Sequence, residues 1–259
     1  WPLTAEKTEA VRAIVKREHE AGHLEPSMSP WNTPIFAIKK KDKNQWRMLH
    51  DLRAVNQQME DMGPLQPGLP DLSAVPRGWQ VIVLDIKDCF FSIPLHPDDR
   101  KRFAFTLPAV NRTEPGSRWQ WTVLPQGMKN SPAICQRYVA SALQQVRQQY
   151  QEQIYMIHYM DDVLIAAPTE VLCEQVFADA QRGLAEQSLK VAKAKVQRGP
   201  VCRFLGARIE GDSIQAQPIK LTPKVKNLHD VQKLVGALQW LRTFVRVTGE
   251  EMQPFYALL

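Results

Sequence analysis

The sequence predicts an α+β fold in which an antiparallel sheet is backed by helices. Three observations carry this reading. Segments with apolar residues at helical spacing alternate with short runs of β-branched and aromatic residues. In the middle of the chain these segments follow the order β-α-β-β-α-β. The 259 residues, 44% of them hydrophobic, suffice for one large or two modest cores.

The elements follow in order. "LTAEKTEAVRAIVKREHEAG" reads as a helix capped by Thr4, with Val11, Ile14 and Val15 on one face and Gly22 as the stop. "SPWNTPIFAIKKKDKNQWRMLHDLR" reads as two strands joined by the basic turn "KKKDK" at 39–43, a hairpin that projects lysines. "MGPLQPGLPDL", rich in Gly and Pro, is a linker or loop. "WQVIVLDIKD" is a buried strand ending in carboxylates, and "FAFTLPAVNRTEPGSRWQWTVLP" is a hairpin with the loop "NRTEPGS". "SPAICQRYVASALQQVRQQ" is a helix with Ser131 as N-cap and Pro132 at the first helical position. "IYMIHYMDDVLIAAP" supplies two strands with a tight turn at Asp161-Asp162. "TEVLCEQVFADAQRGLAEQ" is a second amphipathic helix, and "LKVAKAKV" and "CRFLGARIE" return as strands. "NLHDVQKLVGALQWLRTFVR" is a helix with Leu228, Val231, Leu234, Val235, Leu238 and Leu241 in one stripe, expected to form a separate small helical unit.

Composition narrows the function. The hydrophobic content is that of a globular protein, not a disordered tail. No apolar stretch reaches the length of a membrane span, and no signal peptide is apparent. The chain does not begin with Met, so it is expected to be a piece of a longer product. Cys89, Cys135, Cys173 and Cys202 are widely spaced and form no CxxC, which points to reduced, buried thiols in an intracellular compartment. The net charge is +6, unevenly spread: residues 190–259 carry 12 basic against 5 acidic side chains, and residues 61–189 carry 11 against 14. Basic ends flanking an acidic middle suit either a solvated surface or a polyanion gripped on both sides of a carboxylate centre.

That centre is visible in the sequence. Asp161 and Asp162 are adjacent within a strand-forming run, where like charges repel. Asp85 lies on the first central strand, which the topology places beside the hairpin so that it can approach the turn, and Asp88 stands three residues further along that strand. Asp is common in turns, and this is one account of the pair. The other is a hard cation with oxygen ligands, namely Mg²⁺ held by carboxylates and substrate phosphates. Two such ions roughly 3.5–4 Å apart would activate an attacking hydroxyl and stabilise a leaving oxygen in phosphoryl transfer.

The motifs "WRMLHDLRAVN", "VLDIKDCFFSIPL", "LPQGMKNSP", "YMDD" and "DVQKLVGALQWL", in this order and spacing, resemble those of retroviral reverse transcriptases. The likeness covers the whole chain and is nearest to the alpha- and betaretroviral and endogenous-retrovirus group. It implies a right-hand polymerase fold: fingers in residues 1–84, the start of the palm with a fingers hairpin in 85–119, palm with the YMDD hairpin and primer grip in 120–210, and a truncated helical thumb in 211–259. The implied activity is RNA-directed and DNA-directed DNA polymerisation, with two Mg²⁺ (or Mn²⁺), a deoxynucleoside triphosphate, an RNA or DNA template and a DNA primer. It would act in the host cytoplasm or in a virion. The family's connection and ribonuclease H domains are not in this sequence, and oligomeric state is left open.

The resemblance also assigns roles. Asp85, Asp161 and Asp162 match the catalytic carboxylates, with the carbonyl of Ile86 as a further metal ligand. Lys40 and Arg47 match the triphosphate clamp, and Asp88 and Cys89 match positions whose backbone N–H groups meet phosphates. Phe90 matches the sugar floor, whereas Phe91 is expected in the core. Gln126 matches a residue near the sugar, although "PQG" is also ordinary turn chemistry. Lys195 matches a general acid for pyrophosphate, an exposed strand lysine being the alternative. Tyr159 and Met160 would meet the primer terminus, with core packing the alternative for Met160. Phe204, Leu205 and Gly206 match the primer grip, and Gln232, Lys233 and Gln239 are the outward thumb residues. "MKNSP" and "MIHYMDD" lie within the family's variation. Two other readings stay open: a catalytically silent nucleic-acid-binding remnant of an endogenous element, and a metal-dependent phosphodiesterase. The set Lys40, Arg47, Phe90 and Gln126 disfavours the second, because a nuclease needs neither sugar floor nor triphosphate clamp.

Overall fold

A computed structural model describes residues 3–39, 45–63, 70–109, 115–218, 225–242 and 244–259. Lys40, most of the "KKKDK" turn, the centre of the Gly/Pro-rich linker and most of the "NRTEPGS" loop lie outside the described residues. The chain forms two compact units: Trp1–Gly68, Ile86–Gln145 and Gln181–Val191 in one, Leu69–Asp85, Val146–Ala180 and Ala192–Leu259 in the other.

In the first unit, α1 (Ala5–Glu20) starts where the Thr4 side chain accepts from the Lys7 N–H, and buries Val11, Ile14 and Val15. Gly22 follows at φ +79°, a left-handed position that suits a residue without Cβ. The strands β1 (Leu24–Pro26), β5 (Ala104–Leu107) and β6 (Ser117–Trp121) pair in the order β1-β6-β5. A second hairpin joins β2 (Ile35–Lys39) to β3 (Trp46–His50), with Ile38 opposite Arg47. Neither β1 nor the short helix α2 (Arg53–Gln58) was expected, since three residues ending in Pro and six without a buried face give no periodic signal.

His50 is a titration probe of this unit. Its ring packs edge-on to Phe105 and Trp121, accepts from the Trp121 indole N–H at 3.1 Å, and is pushed by burial down to about 3. The unfolded imidazole protonates near its ordinary 6.5 while the folded one stays neutral. Stability present above pH 6.5 is therefore lost as pH falls, at about 1.4 kcal/mol per pH unit. Tm measured from pH 6.5 to 5 is expected to fall less steeply in His50→Gln than in the parent chain.

The strand β4 (Gln80–Lys87) carries the chain across the boundary between the units. In the second unit its residues 80–85 pair with β8 (Asp162–Ala167), which also pairs with β7 (Tyr155–Tyr159). β8 is apolar on both faces from Val163 to Ala167 because it is fully buried. In the first unit Ile86 and Lys87 pair with β9 (Lys190–Val191).

After the one-turn α3 (Pro97–Arg100), α4 (Ser131–Ala142) and α6 (Glu170–Glu186) complete with these strands the expected β-α-β-β-α-β order. The helix after Pro132 differs in two respects. Its N-cap is Asn130, because the Ser131 hydroxyl donates to the Pro125 carbonyl at 3.0 Å, and it stops at Leu143 before a separate α5 (Gln144–Tyr150). "LKVAKAKV" is a strand for two residues only. Gln197 bridges Val83 in both directions, so residues 193–195 bow into a 3₁₀ turn.

"CRFLGARIE" is a hairpin, β10 (Val201–Phe204) and β11 (Ala207–Glu210), extended by β12 (Ser213–Ala216). Its inward Cys202, Phe204, Ala207 and Ile209 share a core with Val83, Leu164 and Ala166. The helix α7 (Leu228–Leu241) is capped by the Asn227 side chain and packs Val231 and Val235 on Met252 of α8 (Gly249–Tyr256). Leu228, placed in the apolar stripe by its spacing, is 52% exposed, because it lies at the first helical position beyond the reach of that cluster. Among the described residues no helix is long and apolar enough to cross a membrane.

Candidate carboxylate site

Strand register brings the carboxylates together. Asp85 is the Cα partner of Asp162, and Tyr159 pairs with Asp162 to close the β7–β8 hairpin. The turn is thus Met160-Asp161, one residue earlier than the expected Asp161-Asp162, and Asp162 opens β8. Met160 takes φ +55°, a left-handed conformation that costs a non-glycine residue about 1–2 kcal/mol. Such strain persists where the surroundings enforce it, here two paired strands and the buried β8.

The electrostatics are those of a crowded anionic site. Burial first, then the charges of Asp161 and Asp85, raise the Asp162 carboxyl to about 6. Burial is also the main cause raising Asp161, and Lys195 opposes both shifts. The Lys195 ammonium lies 2.9 and 2.8 Å from the two Asp85 carboxylate oxygens, and that hydrogen-bonded pairing raises the lysine's own pKa. Among the described residues, no three Asp, Glu, His or Cys side chains converge on one ion-sized point. The donor chemistry nevertheless fits a hard divalent cation: three oxygen-bearing anions at adjoining positions, repelling one another, one already matched to a positive charge.

The other predicted residues fall as follows. Ile86 is buried in β4 opposite Val191. Asp88 is not on the strand, which ends at Lys87; it turns left-handed at φ +48° into the 3₁₀ turn Cys89–Ser92. Cys89 is buried with its sulfur 3.0 Å from that of Cys135; Phe91, expected in the core, is half-buried and stacks on Trp121 at 5.0 Å, and Phe90 between these two neighbours is half-buried as well. Arg47 is exposed on β3, and Gln126 is exposed just before Gly127 at φ +93°. Tyr159 and Met160 are half-buried at the hairpin tip.

Phe204 is buried, and Leu205-Gly206 form the left-handed turn of β10–β11. A Cβ on Gly206 would lie 2.8 Å from the Trp240 ring, whose indole N–H donates to the Leu205 carbonyl at 3.3 Å. Gly206→Ala is therefore expected to destabilise the chain by about 1–3 kcal/mol, read as a lower Tm. On α7, Gln232, Lys233 and Gln239 are all exposed, and Gln239 also accepts from the Tyr256 hydroxyl at 2.5 Å.

One residue was missed. The Asn56 amide donates to the Gly127 carbonyl at 2.9 Å and accepts from the Lys129 N–H at 2.8 Å, clamping the loop that carries Gln126. Its only sequence signal was its place at the end of "WRMLHDLRAVN".

Residues 38–209 match the family model described as "Reverse transcriptase (RNA-dependent DNA polymerase)", and residues 208–259 match "Reverse transcriptase thumb domain". The chain belongs to the reverse transcriptase family. It is 47% identical, over its whole length, to the Gag-Pro-Pol polyprotein of mouse mammary tumor virus (strain BR6) and 48% identical to that of Mason-Pfizer monkey virus, covering 15% of each. It is 47% identical, over 99% of its length, to the intracisternal A-particle Pol-related polyprotein of mouse intracisternal a-particle MIA14, covering 29% of it. The chain thus spans less than a third of these relatives. The reverse transcriptase match contains all three carboxylates of the site together with Lys195, Arg47, Phe90 and Gln126.

Proposed function

We propose that this chain is the fingers, palm and part of the thumb of a DNA polymerase directed by RNA and by DNA. The observation that carries the reading is the register pair Asp85–Asp162 beside Asp161, inside a reverse transcriptase match. The boundaries proposed are fingers to residue 84, palm with the fingers hairpin from 85 to 210, and thumb from 211. Asp85, Asp161 and Asp162, with the Ile86 carbonyl, would hold Mg²⁺ or Mn²⁺, supplying an activated primer 3′-hydroxyl and a stabilised leaving oxygen.

The protein's own part is positioning and charge. Arg47, a planar fork, and Lys40 take the triphosphate, and the N–H groups of Asp88 and Cys89 face its oxygens. Phe90 floors the sugar and meets a ribose 2′-hydroxyl by contact, and Gln126 lies along the 3′ side. Lys195 passes a proton to the departing pyrophosphate. Tyr159, Met160, Phe204, Leu205 and Gly206 hold the primer end. Gln232, Lys233 and Gln239 follow the duplex through backbone contacts that do not read sequence. The partners are a template, a DNA primer, a deoxynucleoside triphosphate, and the connection and ribonuclease H domains of the longer polyprotein.

Pyrophosphate is the discriminating product. Adding dTTP to the chain on oligo(dT)-primed poly(rA) is expected to release one pyrophosphate per residue incorporated. Nucleotide monophosphates released from the duplex would identify a phosphodiesterase. Salt-dependent duplex binding with neither product would identify the silent binder.

A further inference from the structure

The Asp85 carboxylate is the least exposed partner in its ion pair, at 19% against 65% for Lys195, and both its oxygens are taken by one ammonium. The lysine is delivered there by the backbone. The Ala192 N–H donates to the Asp85 carbonyl at 2.8 Å, the Lys195 N–H donates to the Ala192 carbonyl at 2.8 Å, and Gln197 bridges Val83 on the far side. The 3₁₀ turn Lys193–Lys195 is thereby clipped to the strand that carries Asp85. An ion bound through these oxygens and an ammonium at 2.8 Å from them exclude one another by charge and by volume.

We propose that Lys195 is the resident counter-ion of Asp85, which a divalent cation must displace, so that cation binding and release of the lysine are one event. The proposal rests on the metal reading above. It gives the three carboxylates a positive partner before the ion arrives. It also makes the ammonium available to an incoming triphosphate only once the ion has taken its place. The exchange sets the cation affinity below that of the carboxylates alone, because the Lys195–Asp85 pair must open first.

The test is Mn²⁺ binding by isothermal titration to the 259-residue chain, without nucleotide or duplex. Lys195→Met is expected to tighten binding about tenfold, because one competitor for Asp85 is gone. Lys195→Arg, whose fork grips a carboxylate through two N–H groups, is expected to weaken it. Lys193→Met removes the same charge two residues away without touching Asp85, and should leave affinity unchanged. A merely structural lysine would give loss, not gain, on replacement. Unchanged or weaker binding in Lys195→Met overturns the proposal, as does equal tightening in Lys193→Met. Asp85→Asn separates the two levels. If it abolishes Mn²⁺ binding while Lys195→Met gains nothing, the metal reading stands and the counter-ion proposal fails. If it leaves binding intact, or if the parent chain binds no Mn²⁺, both fail.

Discussion

Asp161→Asn is expected to lower primer extension by about 10³-fold or more while leaving the fold intact. The substitution keeps shape and removes one negative charge at the hairpin tip, where burial and the neighbouring Asp85 already disfavour the carboxylate. Tm is therefore expected to stay level or rise, even as turnover collapses. This pairing of a lost activity with an undiminished Tm is the signature of a group placed for chemistry at the expense of stability. Extension at near the parent rate would remove Asp161 from the metal-binding set. A parallel fall in Tm would make it a turn residue whose loss unfolds the tip.

The second large effect is on the choice of sugar. Phe90 sits in a 3₁₀ turn fixed on one side by buried Cys89 and on the other by Phe91 stacked on Trp121. Phe90→Ala should then remove a half-buried ring without loosening the turn that carries it. The ratio of kcat/KM for dCTP to that for CTP is expected to fall by about 10²-fold, the discrimination that a contact surface can supply against one extra hydroxyl. Phe91→Ala should act in the opposite manner, costing about 1–2 kcal/mol of stability through the lost stacking and half-buried area, and leaving the ratio alone. Unchanged sugar discrimination in Phe90→Ala would move the gate to another residue.

Much of the site follows from local signals. The strand-turn-strand around Asp161 and Asp162, and the buried strand that carries Asp85, are written in β-branched runs that suit a sheet. The end of that strand was harder to read. Asp88 turns left-handed, and no periodicity separates it from the residues before it. Lys195 was expected as a general acid or as an exposed strand lysine; it is exposed, but it lies on a bowed turn against Asp85 and not on a strand, because the bow is made by Gln197 and Val83, more than a hundred residues apart in sequence. The Asn56 clamp on the Gln126 loop spans 71 residues and has no local signature. Long-range hydrogen bonds of this kind are decided by packing, which a pattern of apolar residues does not encode.

The most direct test of the central claim is extension of oligo(dT) on poly(rA) by this 259-residue chain with dTTP and Mg²⁺, run beside the same mixture with EDTA. The account predicts a ladder of products longer than the primer that disappears when the cation is chelated. A duplex held tightly but never extended in Mg²⁺ or Mn²⁺ would contradict it, and so would extension that survives removal of the metal.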